Sequence, residues 1–140
     1  MIQGYFTTGA TRRPFVSARL QFPNLGNQRH PVELLVDSGA DRTVLSSLDA
    51  LRLGINLASL ESGLPSTGVG GQTDTRIIEA FLTIDSFSIP LTLTIVETSR
   101  PIPSLLGRDL MSHFALFMEE RTGRVLLLEP HESEHLNLPA

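Results

Sequence analysis

The chain has no cysteine and no tryptophan, a single tyrosine, and aromatic residues at only 6% of its 140 positions. Without cysteine there is no disulfide, no thiolate zinc site and no cysteine nucleophile, so the chain fits a reducing compartment without requiring one. A barrel that binds sugars or lipids draws its pocket from clustered aromatic side chains, which this composition does not supply. Basic runs are missing too: the net charge is -4 and Arg12-Arg13 is only a pair. Nucleic acid, whose phosphates demand clustered cations, is therefore not an expected partner. No apolar run approaches the roughly 20 residues of a membrane span, and Met1-Ile2-Gln3-Gly4-Tyr5-Phe6 carries no basic flank. A soluble, cytoplasmic protein without membrane contact is expected. Among the histidines only His131 and His135 stand four apart, and Glu132-Ser133-Glu134 between them reads as a solvated tail, so no metal or other cofactor is expected.

What is present is 41% hydrophobic content, enough for one core. A single domain over residues 1–130 is expected, followed by a loosely ordered polar tail over 131–140. Val16, Ala18, Leu20 and Phe22 alternate with Ser17, Arg19 and Gln21, the period-two mark of a half-buried strand. From His30 to Val36 the apolar character is nearly continuous, which predicts a central strand. Ser46 or Ser47 caps a short helix over Leu48 to Leu53, which Gly54 ends. Thr73 to Ile84 reads as a long strand, Asp85-Ser86 breaks it, and Leu91 to Val96 alternates again. Gly107 to His113 has room for one or two helical turns. Phe114 to Met118 and Arg124 to Leu128 then flank Glu120-Arg121-Thr122-Gly123 as a hairpin with too much apolar surface to leave wet. Many short strands with little helix predict an all-β, closed-barrel fold.

The chemistry concentrates at Asp37-Ser38-Gly39-Ala40, which follows the apolar run Val32-Glu33-Leu34-Leu35-Val36. This delivers one carboxylate on a tight loop between two extended segments. Gly39 lets the backbone turn sharply, and the Ser38 hydroxyl can satisfy amides that the turn leaves unpaired. Carboxylate-catalysed peptide hydrolysis needs two such groups facing one water, one as base and one as proton donor. Asp41, Asp49, Asp74, Asp85 and Asp109 lack an equivalent glycine loop, so the second carboxylate has to come from Asp37 of another copy across a two-fold axis.

The string LLVDSGADRTVL closely resembles the active-site loop of retropepsins, the single-domain aspartic proteases of retroviruses and retroelements. Three further segments match in order. Arg13-Pro14-Phe15-Val16 resembles the segment that opens their first strand, and Gly68-Val69-Gly70-Gly71 the glycine-rich tip of their flap. Leu105-Leu106-Gly107-Arg108-Asp109-Leu110 resembles the element that closes their fold.

The resemblance implies a retropepsin-like barrel with a short C-terminal helix, a homodimer, and a peptide or protein substrate. It places Asp37, Ser38 and Gly39 in the catalytic loop, with Ser38 bonding across the dimer. Substrate would meet Ala40, Asp41, Arg42, Gly68, Val69, Gly70, Gly71, Leu105 and Leu106, with Leu45 and Ile102 adding apolar pockets. Arg42 stands where viral relatives often carry an acid, which turns a nearby pocket toward acidic or polar groups. Asp41 and Arg108 would form a buried ion pair that Arg13 of the second copy joins, and Asp109 would begin a helical turn. The longer C-terminal hairpin would build the dimer sheet, leaving about ten N-terminal residues free or trimmed. A flap tyrosine, as in pepsin-like enzymes, is missing. The alternative function is a non-catalytic module of the same fold that dimerises or binds peptides.

Overall fold

Alternation of buried and exposed residues builds the frame. In strand β3 (Pro14–Gln21), Val16, Ala18 and Leu20 point inward while Ser17 and Arg19 face solvent. The computed structural model describes residues 1–68 and 71–139. β3 follows two short strands, β1 (Ile2–Gln3) and β2 (Tyr5–Phe6), and is followed by β4 (Arg29–Val36), β5 (Val44–Ser46) and helix α1 (Ser47–Arg52). Next come β6 (Glu61–Ser62), β7 (Ser66–Gly68), β8 (Gly71–Thr73), β9 (Thr75–Ile84) and β10 (Phe87–Val96). β11 (Leu105–Leu106), α2 (Arg108–Met111), β12 (Ala115–Glu119), β13 (Arg124–Leu128) and α3 (Pro130–Ser133) complete the order.

The strands β3, β4, β11, β5, β10 and β9 are hydrogen-bonded in that sequence, and β9 returns to β3 through Arg19↔Thr83, Leu20↔Leu82 and Gln21↔Phe81. A closed barrel of 6 strands results. Closure removes the free edges that an open sheet would leave. Its interior is filled by Leu20, Leu34, Leu45, Leu82, Leu93, Ile95 and Leu106, all fully buried. β4 alternates more cleanly than its apolar run implies. Val32, Leu34 and Val36 are buried while Glu33 is exposed and Leu35 half-buried, because β4 lies in a barrel wall and only one of its faces meets the core.

A second sheet, ordered β1-β13-β12, packs at the end of the barrel. Ile2 pairs with Leu127 and is 6% exposed, and Tyr5 pairs with Phe15. The N-terminal residues are thus not free, as expected from sequence, but are ordered by strand pairing to both sheets. The segment expected to be a loose tail begins instead with α3, where Pro130 occupies the first turn and the Glu129 amide donates to Glu132 Oε1 at 2.9 Å. On the barrel exterior, Tyr5 Oη and Ser17 Oγ both donate to Glu33 Oε1 at 2.6 Å. Partial burial, and then the bond to Glu33, push the Tyr5 hydroxyl up to about 12.

Candidate active site

Asp37 sits immediately beyond β4, where the strand leaves the sheet and turns. Its Oδ1 accepts the Gly39 amide at 3.0 Å, and the Ala40 amide donates to the Asp37 carbonyl at 3.1 Å. The turn is therefore closed by Asp37 itself, the usual habit of an aspartate two residues ahead of an open amide. Ser38, expected to cap the turn, is instead exposed, and among the described residues its hydroxyl has no partner.

The loop from Asp37 to Thr43 is held against the segment from Ser104 to Asp109, far along the chain. β11 is wedged between β4 and β5: Leu105 pairs with Leu35 in parallel and with Val44 in antiparallel fashion. The Asp37 amide donates to the Leu106 carbonyl at 3.2 Å. The first helical amides of α2 have no partner within a helix, and they find the Asp37 loop instead, Arg108 N to Ala40 O at 2.8 Å and Asp109 N to Asp41 O at 3.2 Å. Gly107 is required at this crossing. A Cβ there would lie 2.2 Å from the Arg42 carbonyl carbon and 2.7 Å from the Thr43 amide nitrogen.

Asp109 does more than open a helix, and sequence reasoning missed this. Its carboxylate accepts the Thr43 amide at 3.0 Å, the Thr43 hydroxyl at 2.7 Å and the Leu110 amide at 2.8 Å. Thr43 is fully buried, and its hydroxyl in turn accepts the Gly107 amide at 3.1 Å. Together these groups form a clamp between the two loops. Asp49 plays a comparable part nearby, accepting from Ser104 Oγ at 2.6 Å, while Ser104 Oγ accepts the Ser46 amide.

Asp41 and Arg108 do form an ion pair, but not the buried one expected. Their side chains are 78% and 62% exposed in the single chain, where solvent screens the attraction. Both lie at the rim of the loop, which the other described residues leave exposed. Arg13, expected to join such a pair from a second copy, is exposed in the single chain. Its amide donates to Thr7 Oγ1 at 3.0 Å, and among the described residues its guanidinium makes no ion pair.

A cleft of about 450 Å³ opens beside the loop, walled by Gly39, Ala40, Asp41 and Arg42. Val44, Thr94, Val96 and Leu105 form its floor and Leu64, Pro65, Ser66 and Thr67 its opposite wall. Of the residues expected to meet a substrate, Leu106 and Leu45 are corrected: both are fully buried in the barrel, because neighbours along a strand face opposite sides and Leu105 and Val44 take the cleft. Ile102 lines a different groove, with Pro31, Leu48 and Arg52. Thr94 and Val96 were missed, although their alternation with buried Leu93 and Ile95 already set them on the other face.

Over the cleft, β7 and β8 pair as an antiparallel hairpin with Gly68 opposite Gly71. Gly71 has φ 107, a left-handed conformation that favours glycine. Val69 and Gly70, expected at its tip, lie outside the described residues. At its base Arg76 bonds Glu97 at 2.9 Å and the Leu60 carbonyl at 2.9 Å, joining β9 to the ends of β10 and of the preceding turn. Among the described residues one group could bring three metal-type ligands together, Glu129, His131 and Glu132, within the C-terminal segment and apart from the cleft lining.

Comparison with known proteins agrees with this geometry. The family model described as aspartyl protease matches residues 22–110. DNA damage-inducible protein 1 of Eremothecium gossypii is 30% identical over 106 residues, covering 74% of this chain and 22% of the relative. Its counterpart in Kluyveromyces lactis is 32% identical over 104 residues, covering 72% and 24%. The chain thus spans less than a quarter of the length of these curated relatives. Among solved structures, a retropepsin-like aspartic protease from Rickettsia conorii superposes with a TM-score of 0.65 at 20% identity, over 88% of this chain and 95% of that one. The EIAV protease, solved with the inhibitor HBY-793, superposes with 0.59 at 23% identity, over 76% and 91%. The loop that carries Asp37, the clamp that fixes it and the span of these matches lead to one conclusion: the chain belongs to the aspartyl protease family and has the fold of the retropepsin-like aspartic proteases.

Proposed function

We propose that two copies of this chain form a homodimeric aspartic endopeptidase in which the two Asp37 carboxylates activate a water between them. The observation that carries this reading is the Asp37 loop itself: one carboxylate on a loop whose next residues, Gly39 to Arg42, wall a cleft, with a backbone pinned at both ends by β11, α2 and Thr43. The other acids nearby are already committed, Asp41 to Arg108, Asp49 to Ser104 and Asp109 to Thr43. A second competent carboxylate therefore has to come from a second chain. Two facing carboxylates hold one proton between them, so one can take a proton from water while the other gives one to the substrate carbonyl oxygen. No covalent intermediate is needed.

Substrate is an extended peptide. The hairpin β7–β8 acts as the flap, and the peptide backbone adds as a strand beneath it, with alternate side chains entering the apolar pockets made by Val44, Leu64, Pro65, Val96 and Leu105. Ser38, exposed next to Asp37, supports the reading that its hydroxyl bonds across the dimer, and the exposed Arg13 meets the Asp41–Arg108 pair of the other copy. The dimer sheet is built by the C-terminal hairpin, since β12 is an edge strand on which Leu116, Phe117 and Met118 stay more than a third exposed.

The test is peptide-library cleavage from acid to neutral pH by the wild type and Asp37→Asn, with a dilution series. Cleavage should vanish in the variant, and the rate per chain should fall on dilution. Peptides that bind but are not cut in an Asp37-dependent way would replace this reading with a non-catalytic peptide-binding module.

A further inference from the structure

Among the described residues that line the cleft, two carry charged side chains, Asp41 and Arg42, and they are not equivalent. Asp41 is neutralised by Arg108, whereas Arg42 forms no ion pair and no side-chain hydrogen bond among the described residues. In a chain of net charge -4, the uncompensated charge on the cleft wall is therefore positive. The backbone of Arg42 is fixed, since its carbonyl is pressed against Gly107 and the following Thr43 is bonded to Asp109. Its guanidinium is thus a free head on a rigid anchor.

Resting on the endopeptidase reading, we propose that Arg42 is a specificity residue that selects substrates with an acidic side chain close to the scissile bond. A peptide laid into the cleft removes water from this guanidinium. A buried cation without a partner is costly, and the apolar and hydroxyl groups around it, among them Val44, Thr67 and Val96, carry no negative charge to compensate. A glutamate or aspartate side chain on the peptide supplies the missing partner in a two-pronged geometry that a planar guanidinium fits. A lysine or arginine there is repelled. Two-fold assembly repeats the arrangement, so one Arg42 stands on each side of the bond to be cut.

The experiment uses peptides that are identical except for Glu, Gln or Lys at each position flanking the cleavage point. At one or more positions kcat/KM should favour Glu over Gln by about fivefold or more, an advantage that salt reduces. Arg42→Gln should bring the ratio close to one, Arg42→Lys should retain part of it, and Arg42→Glu should turn the preference toward Lys. Equal cleavage of the three peptides by the wild type would overturn the inference while leaving the endopeptidase reading intact. If no peptide is cut, that reading fails, and the same peptides are titrated against the Asp37→Asn chain with and without the Arg42→Gln substitution. A Glu preference in Kd that depends on Arg42 still supports the charge selection, and equal Kd values reject it.

Discussion

Removing the Asp109 carboxylate should loosen the whole catalytic loop, and the size of the effect follows from the clamp. In Asp109→Ala the fully buried Thr43 loses the acceptor for its amide, at 3.0 Å, and for its hydroxyl, at 2.7 Å. Leu110 is less affected, because its amide also reaches the Gly107 carbonyl. A buried donor left without a partner costs about 1–3 kcal/mol, so two of them predict a loss of about 2–6 kcal/mol. Water enters poorly at a site with no exposed surface, which places the expectation in the upper half of that range. Asp109→Asn keeps one oxygen for the Thr43 amide and should lose only about 1–2 kcal/mol. Urea unfolding followed by circular dichroism, at one fixed chain concentration, reads both. With slopes of about 1–3 kcal/mol per molar, the alanine variant should unfold at least about 1 M earlier than the wild type. An alanine variant within about 0.5 kcal/mol of the wild type, at unchanged slope, would refute the clamp.

Gly107→Ala should cost more than about 3 kcal/mol or prevent folding, because its Cβ would meet backbone atoms of Arg42 and Thr43 that cannot rotate away, and thermal unfolding of soluble chain reads this. The single tyrosine makes Tyr5 directly observable: its absorbance titration should centre near pH 12 in the folded chain against about 10 in urea, and Glu33→Gln should lower the folded midpoint. Since the folded form holds this proton more tightly, the matching stability is complete below about pH 10 and is lost as pH rises toward 12; equal folded and unfolded midpoints would contradict it. Phe117→Asp on the exposed strip of β12 should give a folded monomer without cleavage in sedimentation and activity assays, and an unchanged dimer would exclude this hairpin from the interface.

Much of this molecule is legible where side chains repeat. The alternation through Val16 to Phe22 and through Leu93 to Val96 marks barrel strands, and Ser46 caps α1 by accepting the Asp49 amide as its type and place suggest. Sequence reasoning falters where a residue's partner lies far away. Two-residue strands such as β1 carry no pattern, and Ile2 is ordered only by Leu127 at the other end of the chain. Leu105 and Leu106 look alike in sequence, yet a single step along a strand sends one to the cleft and the other to the core. Asp109 gives the same lesson in polar form. Its neighbours suggest a helix start, and only the fold reveals that Thr43 is its partner.

The wedge of β11 between β4 and β5 also bears on how the protein comes into being. The parallel pairing of Leu105 with Leu35 closes a long stretch of chain, and such closures are slow because their entropy is lost before any contact compensates it. A nascent chain ending at Val96 already contains β3, β4, β5, β9 and β10, five of the barrel strands, but neither the wedge nor the clamp. Until residues 106–109 have been made, the Asp37 turn has its own local bonds but not the partners that fix it against the barrel. The partners that pin the Asp37 loop are thus the last contributions to the barrel in chain order, so the loop is anchored only when the barrel sequence is complete.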